Sequence, residues 1–141
     1  MLARYGCRAL ILEPVRGYAC HLRDIFGRND RVEVVQGARF GHDGDATIGV
    51  GAGTSGVFLR TAAKTVTVPL LDVARAFCEH DLTEVACFKL NAEGSEYDIL
   101  DHLIEGGPMR WVRSLVVQFH ENAPDHMAWR TAIQLRQRAT N

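Results

Sequence analysis

The segment that most constrains this chain is Ala9-Leu10-Ile11-Leu12, a run without a polar residue, closed by Glu13-Pro14. An apolar run of this length suits a strand buried on both faces, as in a parallel sheet covered by helices. Pro14 stops the strand and fits the first turn of a helix. From there Val15, Tyr18, Ala19, Leu22 and Phe26 follow helical spacing, and Gly27 with Arg28-Asn29-Asp30 ends the helix. A second strand follows at Val32-Glu33-Val34-Val35. Strand, helix and strand in that order predict a βαβ unit with a right-handed crossover.

The rest of the chain alternates in the same way, with one interruption. Between Gly37 and Pro69 the sequence is glycine-rich and polar, with β-like pieces at Thr47-Ile48-Gly49-Val50, Val57-Phe58-Leu59 and Thr65-Val66-Thr67-Val68. This reads as a hairpin-like excursion over about 37–69, with Thr65–Val68 an exposed or edge strand ending at Pro69. Leu71 to Phe77 suggests a helix. Core strands are expected at Val85–Leu90 and Ser114–Phe119, separated by a helix starting near Ser95. That helix places Tyr97, Leu100 and Ile104 on one face and ends at Gly106-Gly107. After Pro124, Asp125 caps a last helix carrying Trp129 and Ile133 inward. The expectation is one α/β domain over residues 1–141 with a mostly parallel sheet.

Composition removes several function classes. Sixteen basic against seventeen acidic residues leave a formal charge of -1, so no global field attracts nucleic acid or anionic lipid. Only Lys64 and Lys89 are lysines, so arginine is the default cation and a single arginine says little about phosphate. No run of eighteen apolar residues exists, which argues against a membrane span. The opening residues lack the apolar stretch of a signal peptide, and a cytoplasmic location is expected. Cys7, Cys20, Cys78 and Cys87 contain no C-x-x-C pair for zinc or redox chemistry. Cys20 and Cys87 lie in apolar stretches, where a thiol behaves as a small hydrophobe. His120-Glu121 with His126 misses the H-E-x-x-H spacing, and no metal site is expected.

Polar residues gather at the ends of the predicted strands: Glu13, Gln36, Asn91 with Glu93, and His120 with Glu121. Ligands of open α/β sheets bind outside the carboxyl ends of the strands, so parallel strands would bring these groups to one edge. Glu13 can accept bonds from both hydroxyls of a ribose, or be a helix-start charge. Asn91 and Glu93 would flank a reacting centre. Glu96 is either part of it or a first-turn charge on its helix. His120 can serve as a general base on a hydroxyl, or orient another group. A competing feature is Gly51-Ala52-Gly53-Thr54-Ser55-Gly56, which satisfies G-x-G-x-x-G with Asp72 further on. The helix that a dinucleotide site needs after it does not fit before Pro69, so these glycines read as turn residues.

Three of these segments resemble one family. Leu10-Ile11-Leu12-Glu13-Pro14, then Phe88-Lys89-Leu90-Asn91-Ala92-Glu93-Gly94-Ser95-Glu96, then Val116-Val117-Gln118-Phe119-His120 look like S-adenosylmethionine-dependent methyltransferases of the FkbM family. The resemblance runs over about residues 9 to 137, and its K-x-N-x-E-G-x-E block is the specific part. It implies a Rossmann-like class I methyltransferase sheet, and a hydroxyl of a saccharide, polyketide or related small metabolite as methyl acceptor. It also implies that Glu13 binds the cofactor ribose and that Gln36 and Gly37 lie near the adenine. Asn91, Glu93 and Glu96 would surround the methyl group and the acceptor, with His120 beside the acceptor hydroxyl. Asn91 stands where the family more usually has Asp. The family's first strand, with its D-x-G-A-N-x-G loop, has no counterpart in these residues. The sheet is therefore expected to be partial, with the neighbours of that strand either separated by a gap or paired directly. S-adenosylmethionine binding by this chain alone is expected to be weak or absent. The alternatives are a non-catalytic remnant, or a module completed by another chain through an exposed sheet edge, which would also permit self-association.

Overall fold

In the computed structural model the residues described are 2–50, 55–56, 64–120 and 131. The chain begins with a short helix α1 (Leu2–Tyr5), followed by strand β1 (Ala9–Glu13), helix α2 (Arg16–Phe26) and strand β2 (Val32–Gln36). β1 and β2 pair in parallel, from Ala9 opposite Val32 to Glu13 opposite Gln36. The predicted βαβ unit is present, with the turn, helix and second strand where the sequence places them. Of the positions with helical spacing, Ala19 is fully buried, Val15, Leu22 and Phe26 are partly buried and Tyr18 is 38% exposed, while Ile25, off that face, is 56% exposed. Cys20 is exposed too, which corrects its reading as an inward hydrophobe. It follows the buried Ala19, and one residue of helix turns a side chain by about 100°.

The glycine-rich excursion forms a sheet of its own. It comprises β3 (Ala38–Phe40), β4 (Gly44–Val50), β5 (Ser55–Gly56) and β6 (Lys64–Asp72), in the order β3-β6-β4-β5. β6 is antiparallel to β4 along Lys64–Leu70 and parallel to β3 only from Leu70 to Asp72. Among the described residues Thr65–Val68 therefore has one neighbour, as expected of an edge, and the second neighbour comes at the far end of the strand. It also passes through Pro69 and continues to Asp72. Pro69 stands opposite Asp45 of β4, while pairing with β3 begins one residue later, at Leu70 opposite Ala38, and a strand accepts proline where the missing N–H faces the side without a partner. Leu71 and Asp72 are consequently strand residues, and helix α3 spans Val73–Glu79.

Strand β7 (Phe88–Leu90), helix α4 (Glu96–Glu105), a 3-10 turn at Pro108–Trp111 and strand β8 (Leu115–Val117) complete the described elements. β7 and β8 pair in parallel, and a parallel bridge between Val85 and Val112 precedes them. Both strands are shorter than their apolar runs. Cys87, between bridge and strand, is exposed rather than buried. Helix α4 carries the core: Tyr97, Ile99, Leu100 and Leu103 are buried and pack with Val73, Phe77 and Leu90. Phe77 stacks on Trp111 at 6.3 Å and meets Phe88 edge-on at 6.1 Å, tying α3 to the β7–β8 pair. The architecture is α/β with small, mostly parallel sheets. Among the described residues β1 pairs only with β2 and β7 only with β8, so the two do not pair directly. The predicted cap Asp125 and the inward residues Trp129 and Ile133 lie outside the described residues, as do Glu121 and His126.

Candidate active site

The sequence-predicted residues fall into two groups. The first stands at the carboxyl ends of β1 and β2. Glu13 and Gln36 are opposite each other as the last pair of the ladder, and the Gly37 N–H donates to the Glu13 carbonyl at 3.1 Å. Pro14 ends β1, and the chain turns at once into α2. The Glu13 carboxylate follows that turn: its Oε1 accepts the Val15 N–H at 2.8 Å. Among the described residues no hydrogen bond engages its Oε2. Partial burial raises the Glu13 pKa, and the Val15 N–H offsets only part of that rise. The group is thus a half-buried carboxylate with one oxygen open to a donor. Gly37 is buried, and a methyl built on it would overlap the Leu71 side chain. The close approach of β6 therefore requires glycine there.

The second group follows β7. Asn91 is exposed directly after the strand. The next residues form a tight turn in which Glu93 has φ +49° and Gly94 φ +108°. A non-glycine residue in the left-handed region costs on the order of 1–2 kcal/mol, and its neighbours must hold it there. Glu96 does so. Its side chain is wholly buried, Oε1 accepts the Ala92 N–H at 2.6 Å, and Oε2 accepts the Gly94 N–H at 2.9 Å. His120, three residues past the end of β8, completes the group. Its Nδ1 lies 2.8 Å from Glu96 Oε1, and its Nε2 lies 3.4 Å from Glu93 Oε2. The imidazole is therefore set between two carboxylates. Gln118 carries the β8 backbone toward this place by donating its N–H to the Leu90 carbonyl at 2.9 Å. Tyr97 packs on Phe119 at 5.2 Å, which buttresses the segment leading to His120.

Glu13, Gln36 and Gly37 are thus brought together, as are Glu93, Glu96 and His120, with Asn91 at the margin of the second group. Sequence reasoning did not foresee a further polar network. The Asp72 carboxylate caps α3 by accepting the Arg75 N–H at 3.0 Å and lies 3.1 Å from His102 Nε2. The Asp72 N–H donates to Asp43 Oδ1 at 3.0 Å, and Arg75 pairs with Asp43 through two nitrogens and with Glu79. The signal available in sequence was the Asp72 capping position; Asp43 and His102 reach it only through tertiary structure. Asp72 is therefore occupied as a helix cap, not presented as a ribose partner for Gly51–Gly56. Gly51 to Thr54 lie outside the described residues, while Ser55 and Gly56 form β5, antiparallel to β4, where a dinucleotide loop would begin a helix. Among the described residues no group of three or more His, Cys, Asp or Glu is arranged to hold a metal ion, and no helix is long and apolar enough to cross a membrane.

A sequence model of the methyltransferase FkbM domain matches residues 1–139. The chain belongs to the FkbM methyltransferase family. No curated protein and no solved structure matches it. Membership accounts for the α/β layout with parallel strand pairs, and it assigns methyl transfer as the family's chemistry, which requires a methyl donor.

Proposed function

We propose that this FkbM-family chain carries the acceptor and ribose sites of an S-adenosylmethionine-dependent methyltransferase. The acceptor class is a hydroxyl on a saccharide, polyketide or related small metabolite. The observation that carries this reading is the Glu13 carboxylate at the end of β1, half-buried and, among the described residues, with no hydrogen bond at Oε2. A carboxylate in that state is stabilised by hydroxyl donors, and the vicinal hydroxyls of a ribose supply two. The residues present fit that part of the cofactor. Gln36 and Gly37 would border its adenine. S-adenosylmethionine, when bound, supplies an electrophilic methyl group on a sulfonium.

The second group would serve the acceptor. Asn91 offers a carboxamide that can donate to or accept from a hydroxyl without adding charge. Glu93 and His120 would line the acceptor's approach, and the reaction would depend on positioning and on removal of one hydroxyl proton. A second reading is favoured by the separate pairing of β1 with β2 and of β7 with β8. In that reading the chain is a remnant, or a module completed when another strand, from a further chain or a second copy, joins an unpaired edge.

The deciding experiment is methyl transfer from labelled S-adenosylmethionine to a panel of hydroxylated metabolites, with and without a supplied D-x-G-A-N-x-G segment. Activity that appears only with the segment supports the module reading, and activity in both supports a self-sufficient enzyme. Isothermal titration separates them at the binding step: micromolar affinity of the chain alone excludes the need for completion. Absence of transfer and of binding under both conditions overturns the methyltransferase assignment of the site.

A further inference from the structure

The arrangement around Glu96 assigns this residue a task distinct from touching an acceptor, and the inference deepens the methyl-transfer reading on which it rests. We propose that Glu96 is a positioning residue that holds His120 as its Nδ1–H tautomer, so that Nε2 is the nitrogen offered to the acceptor hydroxyl. Three contacts support this. Glu96 is 0% exposed, so its carboxylate cannot meet a substrate directly. Its oxygens already accept two backbone N–H groups, from Ala92 and Gly94, that can only donate. The third contact is His120 Nδ1 at 2.8 Å. An ionised carboxylate has acceptors alone, so the Nδ1 that meets it must carry the hydrogen. In the neutral ring Nε2 then has the lone pair.

The turn makes this orientation rigid. One carboxylate, Glu96, holds both the turn around the left-handed Glu93 and the His120 ring. Glu93 Oε2 at 3.4 Å from Nε2 is too long for a strong hydrogen bond but close enough to stabilise a positive ring. The consequence for the chemistry is specific. With a methyl donor bound, His120 Nε2 would take the acceptor's proton as the acceptor oxygen bonds to the methyl carbon, and the electron pair of the broken sulfur–methyl bond would stay on sulfur. The resulting imidazolium lies between Glu93 and Glu96 and afterwards releases the proton to solvent. Atoms and charge balance without a further reactant. The logic is that of a carboxylate orienting a histidine base, in which the carboxylate itself takes no proton.

The test needs neither cofactor nor acceptor. Long-range proton–nitrogen correlation spectra of the full chain, taken where its histidine rings are neutral, report the tautomer of each ring directly. His120 is assigned by the signal lost in His120→Gln. The expected result is an Nδ1–H population exceeding Nε2–H by about tenfold or more, a factor in keeping with a hydrogen bond to a charged acceptor. Glu96→Gln, whose side-chain oxygen can still accept from Nδ1, should retain that tautomer. Glu96→Ala should let it revert toward Nε2–H. A wild-type ring that is mainly Nε2–H overturns the inference outright, whether or not any variant folds. Because this signal does not involve methyl transfer, a failed transfer assay with the Nδ1–H tautomer present would count against the proposed reaction and leave the positioning intact.

Discussion

The backbone N–H of Gly37 donates to the carbonyl of Glu13 at 3.1 Å, which carries the β1–β2 ladder one residue beyond its last paired position. That bond draws Gly37 under β6, against Leu71 and near the Pro69 carbonyl. The first candidate site is thereby attached to the central strand of the neighbouring sheet at a point where no side chain fits.

Replacing Gly37 with alanine should therefore destabilise the protein by about 1–3 kcal/mol, the usual cost of overpacking. The overlap is with the flexible end of Leu71, so the cost should fall when Leu71→Ala is combined with Gly37→Ala. A double-mutant cycle by urea denaturation measures the coupling. Strict additivity of the two changes would show that the contact is not the cause.

Glu13 should behave in the opposite direction. Its pKa is raised by burial, so the native state binds more protons than the unfolded state between the two pKa values. Stability must then decline as pH rises through that window. Glu13→Gln keeps an oxygen for the Val15 N–H and removes the charge. The variant should gain stability at neutral pH, by about 0.5 kcal/mol or less because the group is only half-buried and solvent screens it. Measured with the D-x-G-A-N-x-G segment supplied, the same change should weaken S-adenosylmethionine binding about tenfold or more, as expected for loss of a charge-assisted contact. Calorimetry of both properties on one variant checks the pair. A variant that binds as tightly as the wild type removes Glu13 from the site.

The βαβ unit was legible because its evidence is local. An unbroken apolar run, Pro14 at its end and helical spacing from Val15 fall within one stretch of chain. The path of β6 was not, because Pro69 is a strong local stop and the partner that overrides it, Ala38–Phe40, lies some thirty residues earlier. The candidate site divides in the same way. Glu13, Asn91, Glu93 and His120 could be placed at strand ends because strand ends are visible in sequence. The folding back of Glu96 onto Ala92 and Gly94 accompanies a left-handed Glu93 and a His120 that arrives from 24 positions further along the chain. No periodicity encodes that. Exposure was the least legible property. Tyr18 falls on the helical spacing, and Cys20 and Cys87 lie in apolar stretches, yet all three are exposed.

The core predicts a contrast between two helices. Leu100 on α4 is fully buried among Val73, Phe77 and Leu90, whereas Ile25 on α2 is 56% exposed. Leu100→Ala should cost about 2–5 kcal/mol through lost burial and an unfilled cavity. Ile25→Ala should stay within about 0.5 kcal/mol. Thermal unfolding of both variants settles whether α4 is the helix that holds the fold. Equal losses would show that α2 is buried in solution.

Asp72 gives the pH dependence with the clearest sign. Burial acts to raise its pKa, but the Arg75 N–H and the His102 ring outweigh that, and the carboxyl titrates below its ordinary range. A depressed native pKa means that the unfolded state takes up the proton first as pH falls. The Asp72 contribution is therefore fully present above about pH 4, the ordinary aspartate range, and is lost as pH drops through the native value. Asp72→Ala removes the cap and should cost about 1 kcal/mol at pH 7, a loss that shrinks as pH falls through the native pKa. Asp72→Asn keeps a capping oxygen and should cost less at neutral pH, while flattening the acid limb of the stability curve. Urea midpoints between pH 3 and pH 7 for the three proteins separate the cap from the charge. If Asp72→Asn loses stability on acidification as steeply as the wild type, the charge of Asp72 is not what the acid transition titrates.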